Sequence, residues 1–204
     1  MVTGQCDVPI EKHQGVVINR EDLKTSHEEA DVIIIQQMNN PVKEGHTGVV
    51  VTSDDTDVFV LLIYHYVMLN LSIELIMESP VKDRSRTDIK QTSHKHADIA
   101  KTLLAAHALS VCDTVASYHG IGKSKVIKTL KSRMPLQLLG DTTAKMSDIF
   151  QESTKFVSSC YGFPNSSDMS STRRIVWACK VARSTIAMPV QASLPPPQNH
   201  LLRM

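Results

Sequence analysis

Three carboxylates stand within four positions in the stretch GVVVTSDDTDVFVLLI, Gly48 to Ile63: Asp54, Asp55 and Asp57. Acids set this closely beside apolar chain repel one another and lose hydration, so they need solvent, a shared proton or a cation. Oxygen-only ligands suit Mg2+ or Mn2+ rather than zinc. A helix cap with two solvent-facing acids accounts for the same residues, so a metal site requires further carboxylates at comparable element boundaries. Two other stretches supply them. In SHEEADVIIIQQM, Ser26 and Glu29 form a capping box, and Glu28 and Asp31 share a face of the first turn. In Cys112-Asp113-Thr114 another aspartate follows a helical run, where it serves equally well as a cap.

The second chemical signal is basic. Gly120-Ile121-Gly122 is followed by Lys123, Lys125, Lys128, Lys131 and Arg133. A tight glycine turn opening a helix directs backbone N–H groups towards a phosphate, and a run of lysines is what a nucleic-acid backbone requires. A glycine-kinked helix start with a solvated lysine face explains the same residues, and the turn is neither a P-loop nor a dinucleotide fingerprint. His94 and His96, two apart, do not share a helix face and read as surface residues. His107, within an apolar run, reads as a hydrogen-bonded core histidine.

The elements that must position these groups follow from patterning. Val49–Val51 is a β-branched run that suits a strand buried on both faces, as in a parallel sheet, with the acids at its C-terminal end. Ser53 or Asp54 then caps a helix over Thr56–Met68. The helix begun at Ser26 is separated from this strand by a turn-rich Asn39–Thr47 segment. Ser72–Met77 is a second strand, and Glu78–Thr92 a polar loop or ribbon in which Thr87–Lys90 pairs with it. Helices are expected over Ala97–Ser110, from Lys123, over Lys145–Ser158 with Met146, Ile149, Phe150 and Phe156 available for burial, and over Arg173–Arg183. Val16-Val17-Ile18 fits an edge strand, and the tail ASLPPPQNHLLRM an extended, mobile end.

Composition sets the frame. A chain of 204 residues with 42% hydrophobic and 21% charged residues can build one α/β domain and a modest appendage. A net charge of +1 gives no global attraction to nucleic acid, and 4% aromatics argues against base-stacking platforms. Cys6, Cys112, Cys160 and Cys179 are far apart and fit reduced thiols. With no apolar leader and no stretch long enough to span a bilayer, the chain reads as intracellular, and the nucleus is a compatible compartment.

Taken in order, HEEAD, VVVTSDDTDVFVL and LLAAHALSVCDTVASYHGIGKSKVIK resemble the catalytic core of the flap endonuclease/XPG family, over about Ser26 to Leu130. Within it they are most similar to a divergent, uncharacterised animal branch tied to repetitive elements. The resemblance implies a PIN-like (Rossmann-like) α/β fold, a mostly parallel sheet flanked by helices, with a C-terminal helix–two-turn–helix-like extension. It divides the chain into a weakly patterned segment 1–25, a core 26–160 (α/β part 26–112, helical extension 113–160) and a tail 161–204. It implies that Glu29, Asp31, Asp55, Asp57 and Asp113 hold Mg2+ or Mn2+, with Asp55, Asp57 and Asp113 catalytic. The activity implied is two-metal hydrolysis of phosphodiesters in duplex or branched DNA. Gly120, Gly122, Lys123, Lys125 and Lys128 would hold the duplex backbone, as a helix-hairpin-helix element does.

The chain departs from the family in its first 25 residues, which lack the expected first strand and its aspartate, and so looks like an N-terminally truncated copy. A catalytically dead PIN-like binding or scaffold module is therefore the competing expectation. A receiver-like α/β domain is a third, without the Thr/Ser and Lys strand ends that it needs.

Overall fold

The computed structural model describes residues 2–3, 8–24, 30–110, 118–183 and 189–197. The chain divides into two units, Met1–Lys95 and His96–Met204; the sequence suggests boundaries at 25/26 and 160/161, with a subdivision of the core at 112/113.

The first unit holds two small sheets. Strands β1 (Val2–Thr3), β2 (Ile10–His13) and β3 (Val16–Asn19) form an antiparallel sheet in that order. Gln14 and Gly15 carry the hairpin at φ 46° and 84°, the double positive φ of a type I′ turn. The Val16–Ile18 edge strand is thus present, with all four β3 residues exposed. Arg20 fastens the hairpin's exit, its guanidinium donating to Glu11, Asp22 and Glu44.

Helix α1 (Ala30–Lys43) leads to strand β4 (Gly48–Thr52), helix α2 (Thr56–Met68) and strand β5 (Glu74–Glu78). The Ser26 capping box lies outside the described residues. The helix also runs beyond the expected end at Asn39. Pro41 lacks an N–H, but it falls in the last turn, where only one bond is lost, and the helix closes two residues later.

Strands β4 and β5 are parallel, paired from Gly48↔Glu74 to Thr52↔Glu78, with α2 as the crossover. Strand β6 (Thr87–Asp88) adds antiparallel to β5, so the second sheet is mixed, in the order β4-β5-β6. The α/β class is as expected, with one parallel pair and one antiparallel pair. Residues Val49–Val51 are not buried on both faces: Val51 is 8% exposed and Val50 58%. Gly48, Val50 and Thr52 are exposed on one face of the strand, while Val49 and Val51 turn to the covered one.

Helix α2 packs against α1 and α3 and buries Val58, Leu62, Ile63 and Tyr66, all 2% exposed or less. Each such side chain contributes about 1.5–3 kcal/mol on burial. The Tyr66 hydroxyl donates to the Ile73 carbonyl at 2.9 Å, fixing the approach to β5. Directly after β6, helix α3 (Ile89–Lys95) begins where a ribbon reaching Lys90 is expected, because the Asp88 carboxylate accepts the Gln91 N–H at 2.8 Å as a cap. His94 is exposed on α3, its ring edge-on to that of Tyr66.

The second unit is helical: α4 (Ala100–Ser110), α5 (Lys123–Lys131), α6 (Met146–Cys160) and α7 (Met169–Arg183). Its core gathers Leu109, Val126, Leu130, Leu136, Phe156 and Met169. Phe156 is buried as expected, whereas Met146 is 75% exposed in the first turn of α6. Buried hydroxyls join α6 to α7, with Ser158 and Thr172 2.8 Å apart. The tail is not loose up to Pro197. Leu194 and Pro195 are buried, and Arg173 donates to the Pro195 carbonyl. Cys160 and Cys179 carry free thiols, while Cys6 and Cys112 lie outside the described residues. No helix among those residues is long and apolar enough to cross a membrane.

Candidate functional site

The acid stretch follows the C-terminal end of β4, beside the end of its parallel partner β5. Ser53 N–H donates to the Glu78 carbonyl at 2.9 Å, which carries the pairing one residue past the strand. The Ser53 hydroxyl accepts the Asp55 N–H at 3.0 Å, turning the chain into α2. The N-cap is Asp55, neither Ser53 nor Asp54: its Oδ1 accepts the Asp57 N–H at 2.8 Å. With its carboxylate at the positive end of α2, Asp55 gains from the helix dipole as well as from the bond.

Asp54 and Asp55 line an open cleft of about 350 Å3 with Thr56, Phe59, Ser79 and Arg84. Asp57 sits in the first turn of α2 and Asp31 in the first turn of α1, and neither lines the cleft. Glu29 and Asp113 lie outside the described residues. The geometry therefore unites Asp54 and Asp55, with Asp57 two residues further on, and leaves the other three expected ligands apart from the cleft or undescribed. Among the described residues no three Asp, Glu, His or Cys side chains come together as a metal centre. The described acids fit a divalent ion only as part of a larger set.

Two arginines missed by the sequence reading face this acid end. Arg84 Nη1 meets Asp54 Oδ2 at 2.9 Å, and Arg86 Nε meets Glu78 Oε2 at 3.1 Å. Exposed pairs of this kind add little stability. What they change is the local charge, since guanidinium already compensates two of the carboxylates. The signal was present in DRSR, a basic pair set just after a strand that runs parallel to β4, and in the glutamate that ends that strand.

The glycine turn is formed as expected. Gly120 has φ 72°, which an L side chain rarely adopts, and Gly122 is the N-cap of α5 without a side-chain bond. Lys123, Lys125, Lys128, Lys131 and Arg133 are exposed, while Val126 and Leu130 point into the core. Lys125 Nζ bends back to donate to the Gly120 carbonyl at 2.7 Å, stiffening the turn. The basic face and the acid cleft belong to different units of the chain.

No protein-family model matches the chain, and neither does any curated protein or solved structure.

Proposed function

We propose that the chain is a PIN-like nuclease module of the flap endonuclease type, which takes Mg2+ or Mn2+ at the acid end of β4 and duplex or branched DNA on the Lys123–Lys128 face. The observation that carries this reading is the placing of Asp54 and Asp55 in one cleft at the C-terminal end of a β4-α2-β5 parallel unit. Open α/β sheets take their ligands at that end. Asp55 and Asp57, joined by Glu29, Asp31 and Asp113, are the proposed ion ligands. The bound ions would supply hydroxide and stabilise the leaving oxygen. The chain's own part is to hold the backbone: Lys123, Lys125, Lys128 and the Gly120–Gly122 turn fix the position of the phosphates and carry no sequence preference.

A second reading, a catalytically silent module that still binds nucleic acid, is favoured by the Arg84–Asp54 pair and by the oxygen that Asp55 commits to its cap. One experiment separates the two. Melting temperature is measured with Mg2+ and Mn2+ for the intact chain and for Asp55→Asn with Asp57→Asn, alongside cleavage of a branched duplex. A nuclease site gives a metal-dependent rise, lost in the double variant, since an ion bound to the native state alone stabilises it by mass action. No rise at millimolar ion, together with no cleavage, selects the silent module.

A further inference from the structure

A second cavity, in the helical unit, has the opposite electrostatic character. It encloses about 320 Å3 and is lined by His119, Gly120, Lys125, Tyr161, Phe163, Val176, Cys179, Lys180 and Ser193. This volume lies at the small end of the range for organic ligands, about 300–1,000 Å3. Two lysines are held at its wall. Lys125 Nζ donates to Gly120 and Lys180 Nζ to Ser193, and both acceptor carbonyls belong to residues that line the cavity. An ammonium has three donors, so one bond anchors each lysine and leaves charge and donors for a ligand.

No carboxylate lines the cavity among the described residues. The rest of the wall is apolar or aromatic: Phe163, Val176 and the Tyr161 ring, whose hydroxyl donates to the His119 carbonyl at 3.3 Å. Burial raises the Tyr161 phenol well above its ordinary range, so its ring adds no negative charge.

We propose that this cavity binds a phosphate monoester carried on a flat apolar body, a nucleoside 5′-monophosphate or the 5′-phosphorylated end of a nucleic acid. The phosphate takes the Lys125 and Lys180 ammoniums, and the base lies against Tyr161, Phe163 and Val176. Point charges on flexible stems suit a phosphate, and an aromatic wall accepts any base by stacking. The site uses no residue of the acid cleft, and it shares Lys125 and Gly120 with the proposed duplex contact.

The test titrates the intact chain with AMP, adenosine and inorganic phosphate, and follows iodoacetamide labelling of Cys179, which is exposed and lines the same cavity. AMP is expected to bind roughly tenfold or more tightly than adenosine, the weight of a charge-assisted hydrogen bond, and to slow labelling of Cys179. Lys180→Ala should lose that advantage, while Lys180→Arg keeps it and Lys145→Ala, an equal loss of charge elsewhere, leaves it unchanged. Oligonucleotides with a 5′-phosphate or a 5′-hydroxyl distinguish the sources: competition with AMP by the phosphorylated form alone selects a nucleic-acid end, and competition by neither selects the free nucleotide. Equal binding of adenosine and AMP, no effect of Lys180→Ala, or labelling of Cys179 indifferent to AMP would overturn the proposal. Because Lys180 is outside the proposed duplex face, Lys180→Ala leaves affinity for a duplex with 5′-hydroxyl ends intact, so failure here is distinct from failure of the nuclease reading.

Discussion

Arg84 and Asp54, thirty residues apart in sequence, meet at 2.9 Å through Nη1 and Oδ2. The pair brings a positive charge from the loop after β5 to the acid end of β4. Any metal ion drawn to the cleft must compete there with a guanidinium that the chain itself provides.

Removing that competitor should sharpen the metal response. In Arg84→Ala the Mn2+ concentration giving half of the full rise in melting temperature should fall by up to roughly fivefold, the weight of one exposed ion pair. Thermal unfolding across a Mn2+ series measures it. An unchanged or higher midpoint would mean that the cleft is not where the cation binds.

Asp55 has two separable roles, helix cap and proposed ligand. Asparagine caps a helix about as well as aspartate, whereas alanine does not, so Asp55→Ala should cost about 0.5–2 kcal/mol of stability beyond Asp55→Asn. Urea unfolding of the two metal-free variants gives the difference directly. Equal stabilities would show that the Asp57 N–H bond contributes nothing to α2.

The basic face makes a quantitative claim about salt. If two or three phosphates are neutralised, the slope of log K against log salt for duplex DNA should be roughly −2 to −3. Lys123→Ala with Lys125→Ala should flatten it without altering any sequence preference. A slope near zero in the unaltered chain removes duplex DNA as a partner.

Acid stability should report His65. Burial lowers its folded pKa below the ordinary value of about 6.5. Between the folded and unfolded values the unfolded chain binds more protons, so this contribution is complete above about pH 6.5 and is lost as pH falls through that window. His65→Gln should be less sensitive than the unaltered chain from pH 6.5 downwards, in chemical unfolding at fixed temperature. Parallel pH profiles for the two proteins would place the sensitivity elsewhere.

What could be read from the residues alone depended on how far local pattern decides structure. Helix α2 was legible to both its ends, because an acid turn opens it and nearly continuous apolar chain follows. The Gly120–Gly122 turn was legible for a similar reason, since positive φ at Gly120 is a local demand. Helix α3 was not, because Ile89 is its single large apolar residue and its cap, Asp88, also serves as a strand residue. The burial of β4 was misjudged because three consecutive valines cannot reveal whether one face of their sheet is covered or both. Arg84 escaped notice because its partner is thirty positions away, and only the parallel pairing of β4 with β5 brings the two chain segments together. The same holds for Lys180, whose cavity is assembled from the glycine turn and α5, the segment after α6, α7 and the segment around Ser193.

The unpaired flank of β4 has a practical bearing on how the protein behaves in a tube. Among the described residues that strand is paired on one side only, and Val50, 58% exposed, borders an open cleft that Arg20, Met38 and Pro41 also line, with no lysine or proline within the strand itself to discourage an incoming chain. Such an edge is a template on which another copy can lay a strand. Concentrated stocks should therefore drift towards slowly growing, strand-paired aggregates. A lysine in place of Val50 should keep them clear, since one charge at an exposed edge position makes stacking of like chains unfavourable.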